Sequence, residues 1–248
     1  MQKTGKYLES PRDPILWGEG DLGSPVVRGG DVYPKANSRV SLQWLTACEG
    51  ERALTADLMV EIAEPSNLVT AMRQVVSNGG SAGIDGMTVT ELKKWINEHW
   101  RELQESLLEG SYTPSEVRGV RIPKPKGGFR QLGIPTVKDR LVQQAISQVL
   151  SRKYEPIFST SSYGFRPRRN AHQALSQAAG HVAEGNKYVV DLDLEKFFDQ
   201  VNHDRLMWLL GTRIGDRRVL ALIGRFLRSG MMQDGLTSQR LQGTPQGS

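Results

Sequence analysis

Asp191 and Asp193 are the residues of this sequence best suited by type and spacing to metal-ion chemistry. They stand in the run YVVDLDLEKFFD over residues 188–199. A β-strand there would carry both carboxylates on one face and Val190, Leu192 and Leu194 on the other, because strand side chains alternate. Carboxylates sharing a face repel unless a cation sits among them, although a solvated edge strand shows the same pattern. The second chemical resource is cationic. Residues 112–170 hold twelve Lys and Arg against three acids, Glu116, Asp139 and Glu155. Most of the excess charge of a +5 chain is therefore concentrated in one lobe, which favours a polyanionic partner. Within that lobe Tyr163 and Phe165 interleave with Arg166, Arg168 and Arg169. Such a pattern suits a nucleic-acid strand, with cations meeting phosphates and rings meeting bases or sugars.

Composition narrows the class. With 248 residues, 38% hydrophobic and 24% charged, the chain has ordinary globular content and room for one or two domains. The single Cys48 excludes an internal disulfide framework and any Cys-cluster zinc site, and it suits a reducing cytoplasm. Four scattered histidines offer no metal spacing. No run approaches the roughly 20 apolar residues of a membrane span, and the N-terminus has no signal-peptide core. The expectation is a cytoplasmic protein with no membrane partner.

The elements that must position these groups follow from periodicity. Residues 1–50, rich in Gly, Pro and charge, read as a flexible leader. A short helix is expected near Leu54. A second begins about Ser66 with Leu68, Val69, Met72, Val75 and Val76 as its apolar stripe, and Asn78-Gly79-Gly80 stops it. Thr88 and Glu91 have capping-box spacing ahead of a helix that buries Leu92, Trp95, Ile96, Trp100, Leu103 and Leu107. Period two over residues 118–134 predicts a β-hairpin with a basic tip, around which Lys124, Lys126 and Arg130 lie. Thr136 and Asp139 cap the next helix, with Asp139, Arg140 and Gln143 expected on its outer side and Pro156 closing it. After residue 199 two packed helices are expected, with Gly230 as their stop, and then a polar, glycine-punctuated end.

Five segments, in order, resemble those of group II intron reverse transcriptases: GSAGIDGMTV from Gly80, IPKPKGGFRQLGIP from Ile122, YGFRPRR from Tyr163, the aspartate run above, and TPQGS from Thr244. The resemblance spans about residues 80–248. It implies an α/β (α+β) right-hand polymerase fold, with mostly helical fingers over 51–187 bearing the hairpin and an incomplete palm sheet over 188–248. It also implies an RNA-directed DNA polymerase that uses Mg2+ in two-metal nucleotidyl transfer, with group II intron RNA or another RNA as template, a DNA primer and deoxynucleoside triphosphates.

Residue by residue, the family's D-x-x-x-F-F-D falls on residues 193–199. Asp193 is then the catalytic metal ligand, with Leu194 as a backbone ligand and Asp191 in a supporting role. Lys124, Lys126 and Arg130 would hold the triphosphate, Arg130 best by its guanidinium fork. Phe198 would lie against the ribose 2′ position and Gln246 beside the sugar and base. The family's later Y-A-D-D hairpin has no counterpart, since the 248 residues contain no adjacent Asp pair. The sequence is accordingly expected to be a fragment, inactive alone. A non-catalytic RNA-binding module that assists splicing is the alternative of another class, and retron and diversity-generating reverse transcriptases are the nearest alternatives within the enzyme class.

Overall fold

In the computed structural model the described residues are 57–123, 127–233 and 235–244, with the side chain of Arg130 excluded. The expected leader, Lys124, Lys126, Gln246 and the Arg130 side chain lie outside them.

Helix α1 (Leu58–Ile62) leads into α2 (Pro65–Asn78), which starts on a proline at its first position and ends at Gly79 with φ of 67°. Its buried positions are Leu68, Ala71 and Val75, whereas Val69 and Val76 of the expected stripe are exposed. Helix α3 (Leu92–Leu108) buries Leu92, Ile96, Leu103 and Leu107. It begins later than the capping-box spacing implies. The Glu91 carboxylate accepts from the Thr88 N–H at 2.8 Å and the Thr88 hydroxyl at 2.7 Å, so the pair closes a turn before the helix.

Strands β1 (Val117–Pro123) and β2 (Phe129–Ile134) form the expected antiparallel hairpin, with Ile122 opposite Arg130. Helix α4 (Val137–Tyr154) follows, capped by Thr136, and passes into a 3-10 turn, Glu155–Ile157. Its buried Leu141, Val142, Ala145 and Val149 pack with α1 and α2 in one core that also takes in α3. Helix α5 (Ala171–Ala183) buries nothing. A 3-10 turn, Phe197–Gln200, precedes α6 (His203–Gly211) and α7 (Arg217–Arg228), whose Val219 and Leu222 complete the main core. Strands β3 (Met231–Gln233) and β4 (Leu236–Ser238) then join the hairpin in a mixed sheet of order β2-β1-β3-β4, with β3 parallel to β1.

Long-range polar bonds fix this packing. The Asp216 carboxylate accepts from the Met59 N–H at 2.8 Å, tying α7 to α1. Arg225 donates to the carbonyls of Gly110 at 2.6 Å and Tyr112 at 2.9 Å, which would otherwise be unmet at the end of α3.

Two expectations are corrected. Asp139 does not face outward: it is 1% exposed and accepts from Tyr112, Ser115 and Thr136. Two of its partners, Tyr112 and Ser115, are distant in sequence, so the polar outer face inferred from helical spacing was the wrong surface. Arg140 likewise turns onto the chain, donating to the carbonyls of Gly79 at 3.0 Å and Ser81 at 2.7 Å. Residues 188–194 also differ from expectation. They join no ladder of the described sheet, and Val189 and Leu192 are each 88% exposed. Strand-forming side chains cannot make a strand without a neighbour to take the backbone N–H and C=O groups.

Candidate active site and nucleic-acid face

Asp193 lies on the exposed segment, its Oδ1 accepting from the Leu194 N–H at 2.9 Å. Among the described residues no group of three or more His, Cys, Asp or Glu could hold a metal ion. Mg2+ needs near-octahedral oxygen ligands and yields its waters reluctantly, so one carboxylate with a backbone carbonyl does not make its site. The described donor set therefore does not fit the ion by itself.

The segment next bends. Lys196 takes φ of 51°, and the 3-10 turn sets the Phe197 and Phe198 rings edge to face with centroids 5.4 Å apart. The chain's end closes on this turn. The Thr244 N–H donates to the Phe198 carbonyl at 2.7 Å, the Gly243 N–H donates to the Val201 carbonyl at 2.8 Å, and Asn202 bridges Gln242. Gly243 is obligatory here: its φ is +79° and a Cβ would lie 2.8 Å from the Asp199 carbonyl oxygen. Buried His203 sets its Nε2 2.7 Å from the Gly243 carbonyl oxygen. Phe198 is thus bonded to Thr244; Gln246 lies outside the described residues.

The arginine turn is built differently from a row of free cations. Arg166 is 8% exposed in its side chain, pairs with Glu155 at 2.8 Å and donates to the carbonyls of Ser159 and Ser162. Its guanidinium lies 5.3 Å from the Phe158 ring, so its work here is to shape the turn. Arg169 stands 5.2 Å over the Tyr163 ring and donates to the Thr160 carbonyl, while the Tyr163 hydroxyl donates to Gln177 of α5. Phe165 is fully exposed, and Arg168 lines a groove of about 880 Å3 with Thr70, Gln144, Gln148 and Arg152. Phe165 at φ 55° and Arg168 at φ 59°, with Lys196, are the non-glycine residues with positive φ among the described residues. That conformation strains a side chain by roughly 1–3 kcal/mol and persists where the surroundings impose it. All three fall in the two segments singled out for chemistry.

The hairpin is anchored at its base. Asp139 accepts from the Ser115 N–H at 3.1 Å before β1 and from the Thr136 hydroxyl at 2.7 Å after β2, and it takes the Tyr112 hydroxyl at 2.9 Å. Burial raises its pKa, against the lowering pull of those three donors. The loop before α3 is held on the same helix terminus, since a Cβ on Gly83 would meet the Thr136 Cα at 2.6 Å. No hydrogen bond or ion pair among the described residues links this hairpin to residues 188–199. Sequence reasoning missed Asp139, His203 and Asp216 as organising residues because their partners are remote. The Asp-Gly of 234–235, a hairpin signal, was available and would have found β3 and β4.

The family model for reverse transcriptase (RNA-dependent DNA polymerase) matches residues 122–248. The chain is 35% identical over 192 residues to protein YkfC of Escherichia coli (strain K12), covering 75% of this chain and 50% of that protein. It is 33% identical over 187 residues to the group II intron-encoded protein LtrA of Lactococcus lactis subsp. cremoris, covering 75% of this chain and 31% of that one. The chain thus spans half the length of the first relative and under a third of the second. A partial Cas6-RT-Cas1–Cas2 complex is similar in structure with a TM-score of 0.50 at 21% identity, over 77% of this chain and 32% of that one, a likeness of fold alone. No helix among the described residues is long and apolar enough to cross a membrane. Members of such a family act on nucleic acid and generally use divalent metal ions. The chain belongs to the reverse transcriptase (RNA-dependent DNA polymerase) family, and the group II intron-encoded protein among its relatives points to that type within it.

Proposed function

We propose that these residues are the fingers and the first part of the palm of an RNA-directed DNA polymerase that copies group II intron RNA from a DNA primer with deoxynucleoside triphosphates, in the cytoplasm. The observation that supports this reading is the closure of residues 242–244 on the Phe198 turn, since the resemblance assigns nucleotide contacts to Phe198 and to the segment that begins at Thr244, 46 positions later. In this reading Phe198 bears on the sugar, Gln246 on sugar and base, and Lys124, Lys126 and Arg130 on the triphosphate. Arg168 and Arg169 with Tyr163 and Phe165 receive the RNA, and Arg166 holds their turn. Asp193 would supply one Mg2+ ligand with the Leu194 carbonyl beside it, and a complete site needs further carboxylates that the described residues do not bring to it.

The test is templated primer extension. The 248-residue chain should extend no primer, and the protein completed with its Asp-Asp hairpin should. In the completed protein Asp193→Asn should abolish extension and leave RNA affinity within about twofold, since the exposed carboxylate makes no core contact. Synthesis by the 248 residues alone, or a completed enzyme that tolerates Asp193→Asn, would refute the reading.

A further inference from the structure

The clasp between residues 198–203 and 240–244 carries a charge that no hydrogen bond or ion pair among the described residues uses. Both Nη atoms of Arg240 are buried and have no hydrogen-bond partner. Asp199 is the charged group whose field reaches the guanidinium, yet the two form no ion pair. Burial lowers the Arg240 pKa and Asp199 opposes the shift. A guanidinium stays protonated at any physiological pH, so it cannot escape by losing its proton. Charge taken from water without acceptors destabilises a fold, which is why buried charges are almost always paired.

The main chain on both sides of this partly buried residue is fixed, so only the side chain itself can turn its donors towards a ligand. Gln242, Gly243 and Thr244 are each bonded to the opposite segment, and His203 grips the Gly243 carbonyl at 2.7 Å. On the other side Ser238 ends β4, paired with Met231. Arg240 is therefore held between two fixed anchors with its donors unmet. Two Nη donors on a planar fork match two oxygens of a phosphate. A neutral carbonyl would leave the charge uncompensated, and the nearby carboxylate is not taken.

We propose that Arg240 is a phosphate-binding residue beside the Phe198 turn, preorganised by the clasp that His203 and Gly243 lock. The phosphate is that of a nucleotide triphosphate or of a nucleic-acid backbone. This assignment rests on the polymerase reading only for the choice between those sources.

The experiment uses the 248-residue chain and its Arg240→Met variant, with Arg240→Gln as a second variant should Met not fold. Thermal unfolding is followed without ligand, and affinity is measured for inorganic triphosphate and for a single-stranded RNA oligonucleotide. Removing an unpaired buried charge should raise the melting temperature of the free protein, while affinity for the true phosphate source falls roughly tenfold. A loss confined to triphosphate identifies the nucleotide. A loss confined to RNA, with the slope of log affinity against log salt shallower by about 0.7, identifies the backbone. Unchanged affinity for both probes overturns the assignment whatever the melting temperature does, and it leaves the polymerase reading standing. Loss of affinity together with a completed protein that extends no primer would sink the polymerase reading and keep the site.

Discussion

Asp216 shows how much one buried carboxylate can decide. It is 3% exposed and receives the Met59 N–H, the Arg218 N–H and two guanidinium donors of Arg218, at 2.8 to 3.1 Å. Burial pushes its pKa up, and the Arg218 and Met59 donors together outweigh that and leave it lowered. A carboxyl whose folded pKa is lowered contributes stability that is complete above its unfolded value, near 4, and is lost as pH falls through the folded one. Asp216→Ala should therefore destabilise the chain by about 3 kcal/mol at pH 7, because Arg218 and the Met59 N–H lose their acceptor. The difference from the parent, read as urea midpoints, should shrink below pH 4. An equal difference at pH 3 and pH 7 would mean that Asp216 acts only as a cap for α7. Its place as a cap for α7 is local, but its tie to α1 is not, because Met59 is 157 positions away. The arginine turn is the converse case, where Arg166 was legible as a cation yet its acceptors, Glu155 and two carbonyls, were not.

Elements were legible where they satisfy their own backbone. Helices α2, α3, α4, α6 and α7 and the β1–β2 hairpin announce themselves by period, caps and breakers, and tertiary contacts shift only their margins. Residues 188–194 have every local mark of a strand and remain unpaired, because a ladder is a property of two segments. Strands β3 and β4, three residues each, are too short to show a period. The hairpin itself was visible, but its hinge was not. Asp139 ties Ser115, two residues before β1, and Thr136, two residues after β2, to the same helix terminus, so hairpin orientation depends on one carboxylate. Asp139→Ala should release both ends, speeding amide hydrogen exchange in β1 and β2 by roughly tenfold to a hundredfold, from donors worth about 1.5–3 kcal/mol. Asp139→Asn keeps an acceptor oxygen and should give a smaller change. Exchange confined to α4 in the Ala variant would show that Asp139 merely caps that helix.

On the scale of the whole molecule, burial is unevenly shared. The core gathers α1 to α4 with α7, whereas α5 buries no side chain and the segment after it leaves Tyr188, Val189, Val190, Leu192 and Leu194 at 70% exposure or more. Along α5, Leu175 and Val182 are exposed one above the other at helical spacing. An extended apolar segment with unmet backbone groups pairs readily with another chain. Two consequences are expected of the 248 residues in isolation. Exchange should separate a protected unit, α2 with α4, from residues 171–195 that exchange almost freely. The chain should also associate as concentration rises, and Val190→Lys with Leu192→Lys should suppress that association without moving the exchange of α4, because neither side chain touches the core. Sedimentation velocity across a concentration series reads the first effect and exchange the second. A monomer at every concentration, unfolding in one sharp transition with residues 171–195 protected as well as α4, would overturn both expectations.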